Sequence, residues 1–307
     1  MMQLLTSLDA LRTLHQPVHW AMGFFDGVHV GHQRVMCTTA TTGALRGVLT
    51  FDRHPLALLR PQAQPQLLTP DAAYKADLIA RTGADVLLRL PFTPELAGME
   101  PEAFLDALAA ACGIAGISVG ANWRFGRGGS GSAAMLQHEG MQRGFPVSVC
   151  DLAMLGMQPV SSTRIRRALS AGALEEVGAL LGRPYAISGV VEPGQRLARK
   201  LGFPTANISG LEQAALPPFG VYQVRCCVGE STLTGIANLG LRPTIAEQIK
   251  IPRLEVHFPD WQGDLYGEHL VVELRRFLRP EVPFSGIEAL QAQIRRDIAS
   301  AFPGKIA

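Results

Sequence analysis

The feature that most constrains this chain is a change of rhythm near Gly182-Arg183-Pro184. Before it, short apolar runs at Val18–Met22, Gly47–Phe51, Asp85–Leu90, Gly116–Gly120 and Pro146–Cys150 alternate with stretches of helical spacing. Thr69-Pro70 reads as a cap and first turn of a helix running to about Arg81, and Glu102–Cys112 has apolar residues at helical intervals. Such alternation predicts a doubly wound parallel sheet, which binds ligands at the carboxyl ends of its strands. After the change, Ile187–Glu192, Gly220–Val228, Thr232–Asn238, Arg253–Phe258 and His269–Phe277 are β-rich runs separated by Gly and Pro turns. They predict a compact antiparallel barrel. Ser285-Gly-Ile-Glu288 matches a capping box for a closing helix that reaches about Ala301. The expected organisation is therefore an α/β domain over residues 1–183 and a small β-barrel domain with a C-terminal helix over 184–307, a length sufficient for two cores.

Composition narrows the partners. The chain is 47% hydrophobic and 18% charged with a formal net charge of +2, as for a soluble globular protein. Its basic residues are dispersed; the short clusters Arg164, Arg166, Arg167 and Arg196, Arg199, Lys200 suit local anion sites better than a nucleic-acid surface. The uncharged run Ala107–Trp123 is interrupted by Gly113, Gly116 and Gly120 and falls short of a bilayer span. The N-terminus lacks a basic segment followed by an apolar stretch, and five cysteines occur without a Cys-x-x-Cys pair. A cytoplasmic protein of small-molecule substrates is expected, without nucleic acid or membrane; whether it forms a homo-oligomer is open.

The densest chemistry lies between the first strand and the helix-like segment Gln33–Thr42, in Gly23-Phe-Phe-Asp-Gly-Val-His-Val-Gly-His32. Glycines there let backbone amides approach an anion, and the helix N-terminus adds free N–H groups and partial positive charge. His29 and His32 can donate to the same anion, so the segment suggests a nucleoside triphosphate and transfer of a phosphoryl or nucleotidyl group. A buried turn with satisfied histidines is the plainer reading, and a metal site of Asp26, His29 and His32, with His54 added, is a third. Ser161-Ser-Thr-Arg-Ile-Arg166 opens another helix, either as an ordinary N-cap or as a second anion clamp.

Gly126-Arg-Gly-Gly-Ser-Gly131 matches the dinucleotide fingerprint, with Asp151 twenty residues on. However, Asn122-Trp-Arg-Phe125 separates it from the strand, which favours a loop over a nucleotide. In the second half, Thr205 and Asn207 lie two apart in an extended segment and could offer hard oxygens to Mg²⁺, or could cap a turn. Glu255 in Arg253-Leu-Glu-Val-His257 could take a proton from an attacking hydroxyl, or could be a solvated strand residue. No Gly-x-x-x-x-Gly-Lys-Ser/Thr loop occurs.

Several segments in order resemble the prokaryotic bifunctional riboflavin kinase/FAD synthetase family. These are Gly23 to His32, Thr50-Phe-Asp-Arg-His-Pro55, Gly120 to Gly126, Ser161 to Arg166, Lys200 to Asn207, Gly220-Val-Tyr222, Ala237 to Thr244, Leu254 to His257, Asp264 to Gly267 and Arg279 to Glu281. The resemblance covers nearly the whole chain; it departs at Arg53 and Trp123, where the family usually has Pro and Phe. It implies a nucleotidyltransferase fold for the first half and two reactions, riboflavin to FMN and FMN to FAD, both using ATP and Mg²⁺. It implies Glu255 as general base and Thr205 with Asn207 at Mg²⁺ and phosphate. It implies His29, His32, Asn122, Ser161 and Arg166 as the positioning groups for adenylyl transfer. Gly23, Phe25, Asp26, Gly27, Gly31, Ser162, Thr163, Arg164, Gly202, Pro204 and Tyr222 become further nucleotide or flavin contacts.

Three other readings stay in view: an enzyme keeping one of the two activities, an NAD-linked oxidoreductase built on Gly126–Gly131, and a non-catalytic flavin-sensing module.

Overall fold

The computed structural model of the chain describes residues 1–39, 43–192, 203–243 and 250–303. Its contacts divide it into two compact units, Met1–Ser162 and Thr163–Ala307.

In the first unit the strands are β1 (Gln3–Leu5), β2 (Val18–Met22), β3 (Leu45–Phe51), β4 (Val86–Leu90), β5 (Ile114–Gly120), the short pair β6 (Arg124–Phe125) and β7 (Gly131–Ser132), β8 (Val147–Cys150), and a second short pair β9 (Met154–Leu155) and β10 (Gln158–Pro159). Six of them form one parallel sheet in the order β1-β4-β3-β2-β5-β8. The five apolar runs of the sequence become five of these strands. The sixth, β1, is a three-residue edge strand with two of its residues exposed, too short to show a pattern. β2 is buried along its whole length, with Trp20 and Met22 in the core beside Leu49, Leu88 and Ile117. Each such side chain contributes about 1.5–3 kcal/mol by leaving water. From β2 the chain advances through β3 to β4, then crosses to β5 and β8 on the other side. The carboxyl end of β2 is thus the switch point, where ligands bind in open α/β sheets.

The helices are α1 (Val30–Cys37), α2 (Pro55–Leu59), α3 (Ala72–Ala80), α4 (Pro94–Ala97), α5 (Pro101–Ala111), α6 (Ala133–Arg143), α7 (Ser162–Ser170) and α8 (Leu174–Leu181). α1 starts three residues before the expected Gln33, and Thr42 lies outside the described residues. α3 is capped by Asp71, which accepts from the amides of Ala73 and Tyr74, rather than by Thr69. Thr69 is drawn elsewhere: its hydroxyl accepts from the Gly27 amide at 3.0 Å.

The second unit holds α7 from Thr163 onward, α8 and a closed barrel. Its strands are β11 (Ala186–Glu192), β12 (Thr205–Ile208), β13 (Gly220–Val228), β14 (Ser231–Pro243), β15 (Lys250–His257) and β16 (His269–Arg279), in the order β11-β12-β15-β14-β13-β16 with every pair antiparallel. A final helix, Ile287–Ala301, packs Ile298 and Ala301 against Val221 and Ile236 on the outside of the barrel. Arg279 holds it there through Asp297 at 2.9 and 2.8 Å. The expected capping box does not form, since Gly286 is the N-cap and no side chain accepts from the first turn.

Candidate active sites

The segment after β2 is a strained turn. Phe25 and Val28 have φ of 57° and 41°, and Gly27 of 83°. Left-handed backbone costs a non-glycine residue about 1–2 kcal/mol, and such strain gathers at functional sites. Phe25 is buried and meets the His32 ring edge-on, with centroids 5.3 Å apart. Asp26 is buried, and its carboxylate accepts from the amides of Leu68 at 2.9 and 3.1 Å and of Thr69 at 3.1 Å. That carboxylate folds the turn instead of facing outward, which removes it from the proposed metal set. Among the described residues no three His, Cys, Asp or Glu side chains gather to hold a metal.

His29 is the N-cap of α1: its Nδ1 accepts from the His32 amide at 3.2 Å, and the two imidazoles stack with centroids 3.5 Å apart. An accepting Nδ1 places the proton of neutral His29 on Nε2. His32 Nδ1 is buried without a hydrogen-bond partner. Burial, then the neighbouring His29 and Lys75, push the His32 pKa well below 6.5, so the ring is neutral at pH 7. Gly31 packs against the His29 ring, where an added Cβ would sit 3.2 Å from it.

Beside this turn lies an apolar cavity of about 140 Å³, lined by Gly23, Phe51, Phe92, Leu96, Trp123 and Phe125 among others. Trp123 and Phe125 are stacked, with centroids 4.6 Å apart and planes at 12°. A flat aromatic guest matches such a wall. The sequence did not reveal it, because its rings come from three separate segments. Trp123 was legible only as a departure from the family pattern. Asn122, in the turn after β5, is exposed. Arg53, the other departure, is a surface residue paired with its neighbour Asp52 at 3.3 Å.

Gly126–Gly131 is not a dinucleotide fingerprint. It is the loop of the β6–β7 hairpin, with Gly126, Gly128 and Gly129 all at positive φ, and Ser132 caps the following helix. A Cβ at Gly126 would sit 2.5 Å from Pro101 and one at Gly131 the same distance from the Phe125 ring. These glycines serve close packing rather than a pyrophosphate.

Ser161 precedes α7, and Ser162, its first residue, donates from Oγ to the Asp26 carbonyl at 3.0 Å. Thr163 is exposed and Arg166 half-buried. Arg164 is engaged with Glu176, from Nε at 3.0 Å and from Nη2 at 2.8 Å.

On the barrel, β15 alternates as expected: Leu254 and Val256 point into the core, and Glu255 lies on the outer face. There Glu255 is directly opposite Asn207 of β12 and Asn238 of β14. Thr205 faces His257, whose Nδ1 is 2.9 Å from the Pro204 carbonyl and whose ring meets Phe203 edge-on. Asn207 is buried and donates from Nδ2 to the Thr205 carbonyl at 3.3 Å, which leaves its Oδ1 to accept or to ligate. Asn238 donates to Glu281 at 3.0 Å. Asn238 and Glu281 went unassigned in the sequence; strand pairing with Glu255 is the signal that singles out Asn238.

Tyr222, expected among the ligand contacts, sits in the inner row of the barrel. It is 1% exposed, shares the inner row with Ala237 and Val256, and donates its hydroxyl to the Pro218 carbonyl. Burial pushes its pKa up to about 12. Its phenol belongs to the core. Gly202 and the Arg196, Arg199, Lys200 cluster lie outside the described residues.

Residues 11–164 match the FAD synthetase family model and residues 181–302 the riboflavin kinase model. The chain belongs to the bifunctional riboflavin kinase/FAD synthetase family. It is 37% identical to the bifunctional riboflavin kinase/FMN adenylyltransferase of Pseudomonas fluorescens over 98% of this chain and 97% of that one. With the protein of the same description from Listeria monocytogenes it shares 36% identity over 92% and 94%, and with that of Escherichia coli 37% over 91% and 90%. A crystal structure from Streptococcus pneumoniae, titled a macrolide-efflux protein, superposes with a TM-score of 0.82 at 25% identity, covering 98% of this chain and 99% of that one. It shares the fold of this family member; in the present chain no helix of the described residues is long and apolar enough to cross a membrane. The first matched region contains His29, His32, Asn122 and Ser161, and the second contains Thr205, Asn207 and Glu255.

Proposed function

We propose that each half carries one step of flavin cofactor synthesis at the residues brought together there. The chain phosphorylates riboflavin to FMN and adenylylates FMN to FAD. The observation that carries the kinase assignment is Glu255 set between Asn207 and Asn238 on the barrel's outer face. Glu255 takes the proton of the riboflavin 5′-hydroxyl as that oxygen bonds the γ-phosphorus of ATP and the bond to the bridging oxygen breaks, releasing ADP. Thr205 and Asn207 would hold Mg²⁺. Neutral hard oxygens in the absence of a carboxylate cage fit an ion that takes most of its ligands from phosphate and water. When bound, Mg²⁺ supplies charge neutralisation of the phosphates.

For FAD formation, a phosphate oxygen of FMN attacks the α-phosphorus of ATP and pyrophosphate leaves, so no protein nucleophile is required. His29 Nε2, neutral His32, the α1 amides and the glycines at 23, 27 and 31 are assigned to the triphosphate. Ser161 and Ser162 are assigned to the same anion, with Asn122 after β5, and Thr163, Arg164 and Arg166 of α7 to phosphate contacts as the family resemblance implies. The cavity walled by Trp123 and Phe125 is assigned to the isoalloxazine ring. We keep the module boundary near residue 183, supported by the kinase match from 181 and the first barrel strand at Ala186. A cytoplasmic setting, where ATP and Mg²⁺ are supplied, suits both steps.

Pure protein with riboflavin, ATP and Mg²⁺ is expected to yield FMN and then FAD, and separate reactions started from riboflavin and from FMN read each half. Formation of neither product would remove the proposal; formation of one alone would confine it to that half.

A further inference from the structure

Lys75 is a buried charged residue in a helix that otherwise buries apolar and aromatic side chains. It lies on the inner face of α3 with Tyr74, Leu78 and Ile79, and it is 8% exposed. Its Nζ donates to the Phe24 carbonyl, lies 3.2 Å from Thr50 Oγ1 and sits 4.1 Å from the centroid of the Phe24 ring. That ring also meets His54 edge-on at 4.7 Å. Thr50 Oγ1 donates to the same carbonyl at 2.9 Å. The carbonyl therefore has a neutral partner already, and folding alone would be served by an apolar side chain at 75. A buried ammonium costs several kcal/mol unless its charge is used.

Its position indicates the use. Phe24 immediately precedes Phe25, the first of the left-handed residues of the turn that carries His29 and His32. The titratable and charged groups interacting with Lys75 from the packed elements are Asp26 of the turn, Arg89 of β4 and the neutral His32 of α1. Asp26 favours the ammonium, whereas Arg89 opposes it and Lys75 in turn disfavours protonation of His32.

We propose that Lys75 is a positioning residue for adenylyl transfer: its ammonium clamps the Phe24 carbonyl beside Thr50 and holds the strained backbone at Phe25. This rests on reading the turn as the ATP site. The clamp works in the protonated form, because a charge-assisted hydrogen bond is about twice as strong as a neutral one. Burial, against the opposing pull of Asp26, lowers the Lys75 pKa from 10.5 to about 8. The sign follows: the clamp is complete below about pH 8 and is lost as pH rises through it. His32, FMN phosphate and ATP have finished titrating by then.

The test is kcat/KM for ATP in FAD formation from FMN, which reports groups of the free enzyme, measured for wild type, Lys75→Met and Lys75→Arg between about pH 7 and 9.5. Lys75→Met is expected to lower it roughly tenfold or more, while riboflavin phosphorylation by the same preparation stays within about twofold. Wild type is expected to lose rate through about pH 8, and Lys75→Arg, whose guanidinium stays charged, to lack that limb. A Lys75→Met rate within about twofold of wild type, or a flat wild-type profile, overturns the proposal; the wild-type profile decides even if a variant fails to fold. A wild type that makes no FAD from FMN defeats instead the reading of the turn.

Discussion

Glu255 and Asn238 face each other across β15 and β14, and Asn207 completes the row from β12. The row lies on the outer face because its neighbours Leu254 and Val256 are fully buried inside. On this row the carboxylate is flanked on both sides by neutral amide side chains. Asn238 is itself tethered to Glu281, so the row is tied to the segment after β16. An isolated strand glutamate has no such setting.

The stacked pair Trp123 and Phe125 leads to a prediction about flavin binding in the first half. Trp123→Ala removes one face of the cavity wall, and an aromatic contact of this kind is worth about 0.5–1.5 kcal/mol beyond its buried area. The KM for FMN in FAD formation is expected to rise by roughly tenfold or more, with riboflavin phosphorylation unchanged. Steady-state kinetics from each substrate checks this; an unchanged KM would remove the flavin from this cavity.

His32 predicts a pH dependence of stability. Its folded pKa lies well below the unfolded value of 6.5, with burial the main cause. The unfolded chain therefore binds more protons below pH 6.5, and stability falls as pH drops from there toward the folded pKa, by up to about 1.4 kcal/mol per pH unit. His19 and His257 are lowered by burial too and share the window. Unfolding curves of wild type and His32→Gln are expected to converge as pH falls from about 7 to 5. A constant difference over that range would contradict the assignment of a neutral, buried ring.

Tyr222 leads to a prediction about the inner row of the barrel. Tyr222→Phe removes the hydroxyl's hydrogen bond to the Pro218 carbonyl, and such a bond contributes about 0.5–1.5 kcal/mol. Denaturant unfolding is expected to show that loss while the KM values for riboflavin and ATP hold. A raised KM with unchanged stability would return Tyr222 to the ligand contacts.

The strands were legible because period-two and continuous apolar patterns are local, and five of the six strands of each main sheet coincide with such runs. β12 was read as extended through Thr205 and Asn207, yet four residues gave no sign of a barrel strand. What the sequence hid are the contacts between distant segments. Thr69 looked like a cap, but Gly27 takes its hydroxyl and leaves the cap to Asp71. Asp26 looked like a ligand, but the amides of Leu68 and Thr69 take its oxygens. Lys75 carried no signal, since one lysine in an amphipathic helix is normally a surface residue and only packing shows it beneath Phe24.

The measurement that tests the central claim most directly is the behaviour of Glu255→Gln, started separately from riboflavin and from FMN. Two sites with one base between them predict that FMN formation falls by about 10²–10⁴ while FAD formation from supplied FMN is retained. Unchanged riboflavin phosphorylation, or loss of both reactions in a folded protein, would contradict the account.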